Sequence, residues 1–229
     1  MTGDAVEIGV VVAVRNGIET LGAALDAILA QSPAPSDVLV IDGASTDGSA
    51  ELAASYAHAG VRVVAQAGRG LGGARNEALQ AIRGELIAFC DSDDRWPPGS
   101  LAARVAHLAS IAACDAVIGT VVAEALDADD VPAGQRERIG VPMPGFTPGA
   151  LLARRSVFDA VGPFAEEMRI GADSDWFVRL ASSPMRLDRI DDVVLVKGVR
   201  SASLSVDVET YRRELLTVAR AYITRRRAK

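Results

Sequence analysis

The chain has 229 residues, 49% hydrophobic and 24% charged, which are ordinary globular values that allow one large α/β core and exclude extensive disorder. A net charge of −6 and a pI near 5.0 argue against a nucleic-acid-binding domain. No apolar run approaches the ~18 residues of a membrane-spanning helix, and the N-terminal residues lack the basic start and apolar centre of a signal peptide, so the chain is expected to be soluble and cytoplasmic.

The only cysteines, Cys90 and Cys114, form no CxxC and are expected to be reduced and packed. The only histidines, His58 and His107, stand near no convincing serine or cysteine motif, so neither a His-based triad nor a Cys/His metal cluster is expected.

Taken in order, residues 7–14 (EIGVVVAV) read as a buried strand broken by Arg15-Asn16-Gly17. Leu21, Leu25, Ile28 and Leu29 recur at helical spacing up to Ser32-Pro33, and residues 38–41 give a second apolar strand. Strand, helix and strand make a βαβ unit, hence a parallel pairing with a right-handed crossover. Asp42 leaves the second strand into small residues, either as an Asx turn or as a ligand contact. Asp47 fits an N-cap for a helix over 49–58, which leads to a strand over 61–65.

Residues 68–83 are a glycine loop running into a helix. Gly68, Gly70 and Gly73 satisfy G-x-G-x-x-G, which makes a dinucleotide-dependent oxidoreductase a rival reading. Against it, the motif follows the third strand and carries Arg69 and Arg75. The helix start with Arg75 and Asn76 suits an anion, although a solvated arginine beside a glycine turn would look the same.

The strand over 86–90 then opens into Asp91-Ser92-Asp93-Asp94. Acids at the carboxyl edge of a buried strand lie where open α/β sheets keep their ligands. Such close carboxylates call for a cation, and Mg²⁺ or Mn²⁺ shared with phosphate is the natural one. A turn and helix N-cap suffices for Asp94, but not for Asp91 and Asp93 together, since one acid is enough to start a helix.

Four pieces now stand in order: VVVAVRNG, Asp42-Gly43-Ala44-Ser45-Thr46-Asp47-Gly48, Gly70-Leu71-Gly72-Gly73-Ala74-Arg75-Asn76, and the stretch from Gly84 to Asp94. Together they resemble the family 2 glycosyltransferases, inverting enzymes of GT-A fold that use nucleotide-diphosphate sugars. The resemblance implies that Ala13, Val14, Arg15 and Asn16 pack the nucleobase and that Asp42 contacts base or ribose. It also implies that Gly70 and Arg75 lie near the nucleotide. Asp91-Ser92-Asp93 is then the DXD motif, with Asp91 toward the ribose and Asp93 on the metal.

In the second half, a helix is expected over 97–113 and a strand over 116–122. The proline-bearing stretch 127–148 reads as a long loop over the pocket. Residues 149–164 resemble the family's segment before the catalytic acid. Residues 171–180 read as a capped amphipathic helix, and the resemblance places the general base there: Asp173, with Asp175 as the fallback and Ala172 where the family has Glu. After a strand over 193–196, Arg200 stands where related enzymes have a metal-binding histidine. An arginine cannot ligate a cation but can hold a diphosphate.

The segment from Val208 onward reads as a basic amphipathic helix docked on the domain, with peripheral membrane contact as the weaker alternative. The expected organisation is thus a GT-A-like α/β domain over 1–206, mostly parallel with flanking helices, and a C-terminal helix over 207–229. The expected function is inverting transfer from a UDP-sugar to a hydroxyl acceptor. A non-catalytic nucleotide-sugar-binding relative remains the alternative of a different class.

Overall fold

The computed structural model describes residues 6–68, 70–200 and 207–227. An eight-stranded sheet forms the centre. Its first half is parallel: β1 (Ile8–Val14) lies between β2 (Asp37–Asp42) and β4 (Leu86–Asp91), and β3 (Val61–Ala65) flanks β2. The second half is mixed. β7 (Leu151–Arg154) runs antiparallel to β4 and β5 (Ala116–Ala125), β6 (Pro142–Pro144) pairs antiparallel with β5, and β8 (Leu187–Val199) pairs parallel with it.

The β1, β2 and β4 sequences are apolar without alternation because both faces are covered. Val10, Val12, Val38, Val40, Ala88 and Cys90 point into one core, which also holds Leu21, Leu25 and Ile28 of α1 (Ile18–Leu29) and Leu101 and Leu108 of α4 (Ser100–Ser110). Val11, Leu39, Ile41, Ile87 and Phe89 point into the other. There they meet Ala74 and Ala78 of α3 (Gly70–Ala81), Phe158 of α5 (Arg155–Val161) and Trp176 of α6 (Ala172–Ala181). The Trp176 ring stacks between Phe158 and Phe164, at centroid separations of 5.2 and 5.3 Å. The helix expected over 49–58 is α2 (Ser49–Ser55) with a 3-10 turn after it.

Three expectations change. The stretch 127–148 is not all loop: it holds two 3-10 turns and the edge strand β6, whose two prolines an edge position tolerates. The late strand is far longer than 193–196, because its first half carries Asp188, Arg189, Asp191 and Asp192 on a partly exposed edge and so shows no apolar run. The helix expected over 97–113 is only α4, Ser100–Ser110, so Cys114 lies beyond its end, just before β5.

The helix α7 (Val208–Arg227) packs against α6. The Glu214 carboxylate accepts the N–H groups of Arg169, Ile170 and Gly171 at 3.0, 2.9 and 2.7 Å, so α7 fastens the backbone that leads into α6. No helix among the described residues is long and apolar enough to cross a membrane.

Candidate active site

Sheet register assembles the site. Across β1, Val14 pairs with Asp42 on one side and Ala13 with Asp91 on the other, so the residues that end β1, β2 and β4 share one edge. The loops that follow are tied together. The Asn16 side-chain oxygen accepts Thr46 N–H at 2.8 Å, Ser45 Oγ accepts Asn16 N–H at 2.9 Å, and Asp47 Oδ2 accepts Ile18 N–H at 3.0 Å. Asn16 and Ala44 hold left-handed backbone, with φ of 52° and 60°. Asn16 tolerates that conformation readily, whereas an alanine there is strained.

Asp42 holds the turn that follows β2, but with only one of its oxygens. Its Oδ2 accepts Ser45 N–H at 3.1 Å, while Oδ1 is buried with no hydrogen-bond partner among the described residues. A buried acceptor without a donor is costly and marks a place where a ligand N–H or O–H would be bound with gain.

Arg75 is not solvated. Only 1% of it is exposed, and its guanidinium bridges two acids: Nη1 donates to Asp173 Oδ1 and Nη2 to Asp91 Oδ1 at 3.1 Å. The face of the Phe164 ring lies 5.6 Å from the guanidinium carbon. One helix residue thereby joins the end of β4 to the start of α6. Burial pushes the Asp173 carboxyl above its ordinary value, against the pull of Arg75. Asp175 faces the other way, paired with Arg179 at 2.8 Å, and Arg179 ties down the carbonyls of Val161 and Pro163. Of the two acids considered for the base, only Asp173 shares the site with Asp91.

The segment Asp91-Ser92-Asp93-Asp94 is a turn, with Asp94 N–H donating to Asp91 O at 3.0 Å. Ser92 is buried, its hydroxyl turned toward Gly17. Asp93 lines a cleft of about 480 Å³ together with Glu19, Asp94, Glu124, Asp127 and Arg200. Burial and then the Asp91 charge push the Asp93 carboxyl up, while Lys197 and Arg200 oppose the shift.

Asp94 does not cap a helix, since α4 starts only at Ser100. It is 1% exposed, accepts Gly198 N–H at 3.0 Å through Oδ1, and leaves Oδ2 buried without a hydrogen-bond partner among the described residues. Burial raises it to about 7.

The glycine loop is built for packing. Glu77 takes the N–H groups of Ala67 and Gly68 at 2.8 and 2.6 Å, which removes them as phosphate donors. A Cβ at Gly72 would lie 2.9 Å from the Ala165 carbonyl, so the glycine lets α3 touch that backbone. Gly70 is exposed, with its carbonyl accepting from the Gln66 side chain. The support for a dinucleotide fingerprint is thereby lost.

Lys197 was not among the sequence candidates, although a lysine inside the apolar run VVLVKGV was a readable signal. Away from this edge, the fold brings together His107, Cys114 and Asp188, a grouping their spacing hid. Asp188 is occupied by His107 at 3.1 Å and Arg186 at 2.9 Å. Arg69 and the segment 201–206 after Arg200, where the 1–206 domain was expected to end, lie outside the described residues.

Asp91 and Asp93 offer carboxylate oxygens, the donor type that suits Mg²⁺ or Mn²⁺; Arg75 reaches both Asp91 oxygens, at 3.1 and 3.4 Å, and each keeps a second lone pair. The residues present therefore fit a hard divalent cation.

Comparison with known proteins gives the fold and the family. The chain is 26% identical over 211 residues to a PGL/p-HBAD biosynthesis glycosyltransferase of Mycobacterium bovis (strain BCG / Pasteur 1173P2), covering 89% of this chain and 82% of the relative. It is 40% identical over 92 residues to the succinoglycan biosynthesis protein ExoO of Rhizobium meliloti (strain 1021), covering 40% of this chain and 26% of that protein. The stretch shared with several such relatives thus spans less than a third of their length.

Among solved structures, S. aureus TarS 1-349 in complex with UDP-GlcNAc superposes with a TM-score of 0.73 at 19% identity, covering 93% of this chain and 65% of that one. The mannosyltransferase PcManGT of Pyrobaculum calidifontis in complex with GDP-Man and Mn²⁺ superposes with a TM-score of 0.73 at 22% identity, covering 97% and 65%. These likenesses establish the GT-A fold. With residues 9–166 matching the family described as Glycosyl transferase family 2, this chain belongs to that family.

Proposed function

We propose that the chain is an inverting glycosyltransferase that moves a sugar from a nucleoside diphosphate, a uridine diphosphate sugar, to a hydroxyl acceptor. The observation that carries this reading is the Arg75 bridge, which holds the Asp173 carboxylate beside Asp91 of the DXD turn. The ligands of the two superposed structures, UDP-GlcNAc in one and GDP-Man with Mn²⁺ in the other, support a nucleotide sugar as donor.

In this reading the nucleobase packs on the strand end formed by Ala13, Val14, Arg15 and Asn16. The unpartnered Asp42 Oδ1 accepts a base or ribose hydrogen. Asp91 and Asp93 would hold Mn²⁺ or Mg²⁺, which when bound stabilises negative charge on the departing diphosphate. Arg200, in the same cleft as Asp93, adds a guanidinium suited to phosphate oxygens.

Asp173 Oδ1 is tied to Arg75, leaving Oδ2 to take the acceptor proton. The acceptor oxygen bonds to the anomeric carbon as the bond from that carbon to the phosphate oxygen breaks, its electron pair leaving with the diphosphate. The α7 face that carries Leu216 and Ile223 beside Arg212, Arg213 and Arg220 suits peripheral contact with an anionic surface.

The test is Asp173→Asn, assayed with a panel of UDP- and GDP-sugars and hydroxyl acceptors. Loss of transfer with donor binding retained is expected. Transfer that survives the substitution overturns the assignment of the base. A wild type that binds donor yet transfers nothing would make the chain a non-catalytic nucleotide-sugar binder.

A further inference from the structure

The strand β8 is laced to the DXD turn on both sides of Lys197. Before it, Arg95 N–H donates to Val196 O at 2.9 Å and Val196 N–H to Arg95 O at 2.8 Å. After it, Gly198 N–H donates to Asp94 Oδ1 at 3.0 Å, and a Cβ at Gly198 would lie 2.1 Å from the Asp93 carbonyl oxygen. No residue but glycine fits at 198, and backbone meets backbone there. Lys197 stands between these two contacts, and its ammonium feels the acids, Asp94 most strongly and then Asp91, Asp93 and Asp173.

The charges of this group nearly cancel. Among the described residues, Asp91, Asp93, Asp94 and Asp173 face three cations: Arg75, Lys197 and Arg200. Arg75 is committed, sealed between Asp91 and Asp173. Lys197 is shared among the acids, and its charge works against the burial that pushes Asp93, Asp94 and Asp173 up. A compact ammonium of this kind is a point charge that binds phosphate well. The same charge repels an incoming divalent ion.

We propose that Lys197 is a resident cation of the donor site, which holds the diphosphate and weakens the hold of Asp91 and Asp93 on a divalent metal. This rests on the nucleotide-sugar reading given above. It predicts two effects of opposite sign for Lys197→Met: weaker diphosphate binding without metal and tighter metal binding without diphosphate. A lysine with a merely structural role would not separate them.

The experiment is calorimetric titration of UDP and of GDP in chelator and with Mn²⁺, together with titration of Mn²⁺ alone followed by the resonance signal of the free ion. For Lys197→Met, affinity for the diphosphate in chelator should fall about tenfold or more, and affinity for Mn²⁺ should rise several-fold. Lys197→Arg should keep both near wild type. Unchanged diphosphate binding in chelator, or Mn²⁺ binding that is equal or weaker, overturns the inference.

If Lys197→Met does not fold, Asp93→Asn with Lys197 intact decides. Diphosphate binding in chelator should then persist, and its loss counts against Lys197. A wild type that binds neither diphosphate under any condition overturns the donor reading itself.

Discussion

Asp91 and Asp173 share one guanidinium, that of Arg75, although one ends a strand and the other starts a helix much later in the chain. The bridge fixes the distance between the DXD turn and the candidate base without either acid touching the other. Its strength comes from the burial of Arg75, which has no water to replace its partners.

Replacing Arg75 with Met should therefore destabilise the fold by about 3 kcal/mol, the low end for breaking a buried pair. The low end applies because Asp91 and Asp173 keep 21% and 25% of their exposure. Arg75→Lys should recover only part, since one ammonium cannot fork to both acids. Urea unfolding checks both, and stability within a few tenths of wild type for Arg75→Met would contradict the bridge.

The stability of the protein should fall as pH rises, in a window set by Asp94. Burial raises its folded value from the ordinary 3.8 to about 7. Across that window the folded state keeps a proton the unfolded state has released, so stability is highest below the window and lost through it. The slope is at most about 1.4 kcal/mol per pH unit from one group. Asp94→Asn should flatten it in chelator, with a remainder from Asp93 and Asp173, which shift the same way. Thermal or urea unfolding across pH measures this, and a slope unaltered in the variant would contradict it.

Glu214 should act on the reaction without touching substrate. It accepts three successive N–H groups just before the helix that carries Asp173. Glu214→Ala should cost about 1–2 kcal/mol of stability, as the loss of a helix cap does. It should also lower kcat several-fold while leaving donor Kd unchanged, and Glu214→Gln should restore part of both. An effect confined to donor binding would place Glu214 elsewhere in the mechanism.

Gly72→Ala separates packing from phosphate binding. Its methyl would lie 2.9 Å from the Ala165 carbonyl and force α3 away from that backbone. A stability loss of about 1–3 kcal/mol, the cost of overpacking, is expected. Gly68→Ala should meet only the far end of the Glu77 side chain, 2.8 Å away, which can give. Calorimetric melting of the two variants tests the difference, and equal losses would count against a packing role specific to Gly72.

The sequence by itself determined the parallel half of the sheet, the acids at its carboxyl edge and the family resemblance, because these depend on contiguous runs. An unbroken apolar strand buried on both faces, followed by Asp42 or Asp91, reads the same before and after folding. Tertiary structure alone decided how the side chains are used. Arg75 could be a solvated cation or a buried bridge until α6 closed on α3. Asp94 passed for a helix cap until β8 buried it, and Asp173 and Asp175 were interchangeable until Arg179 claimed the second. Lys197 belonged to no motif, because the acids around it come from two segments far apart in the chain, residues 91–94 and Asp173. Charges that meet across such sequence distances leave no periodic trace in the chain, and only the packing that brings them together shows which acid each cation serves.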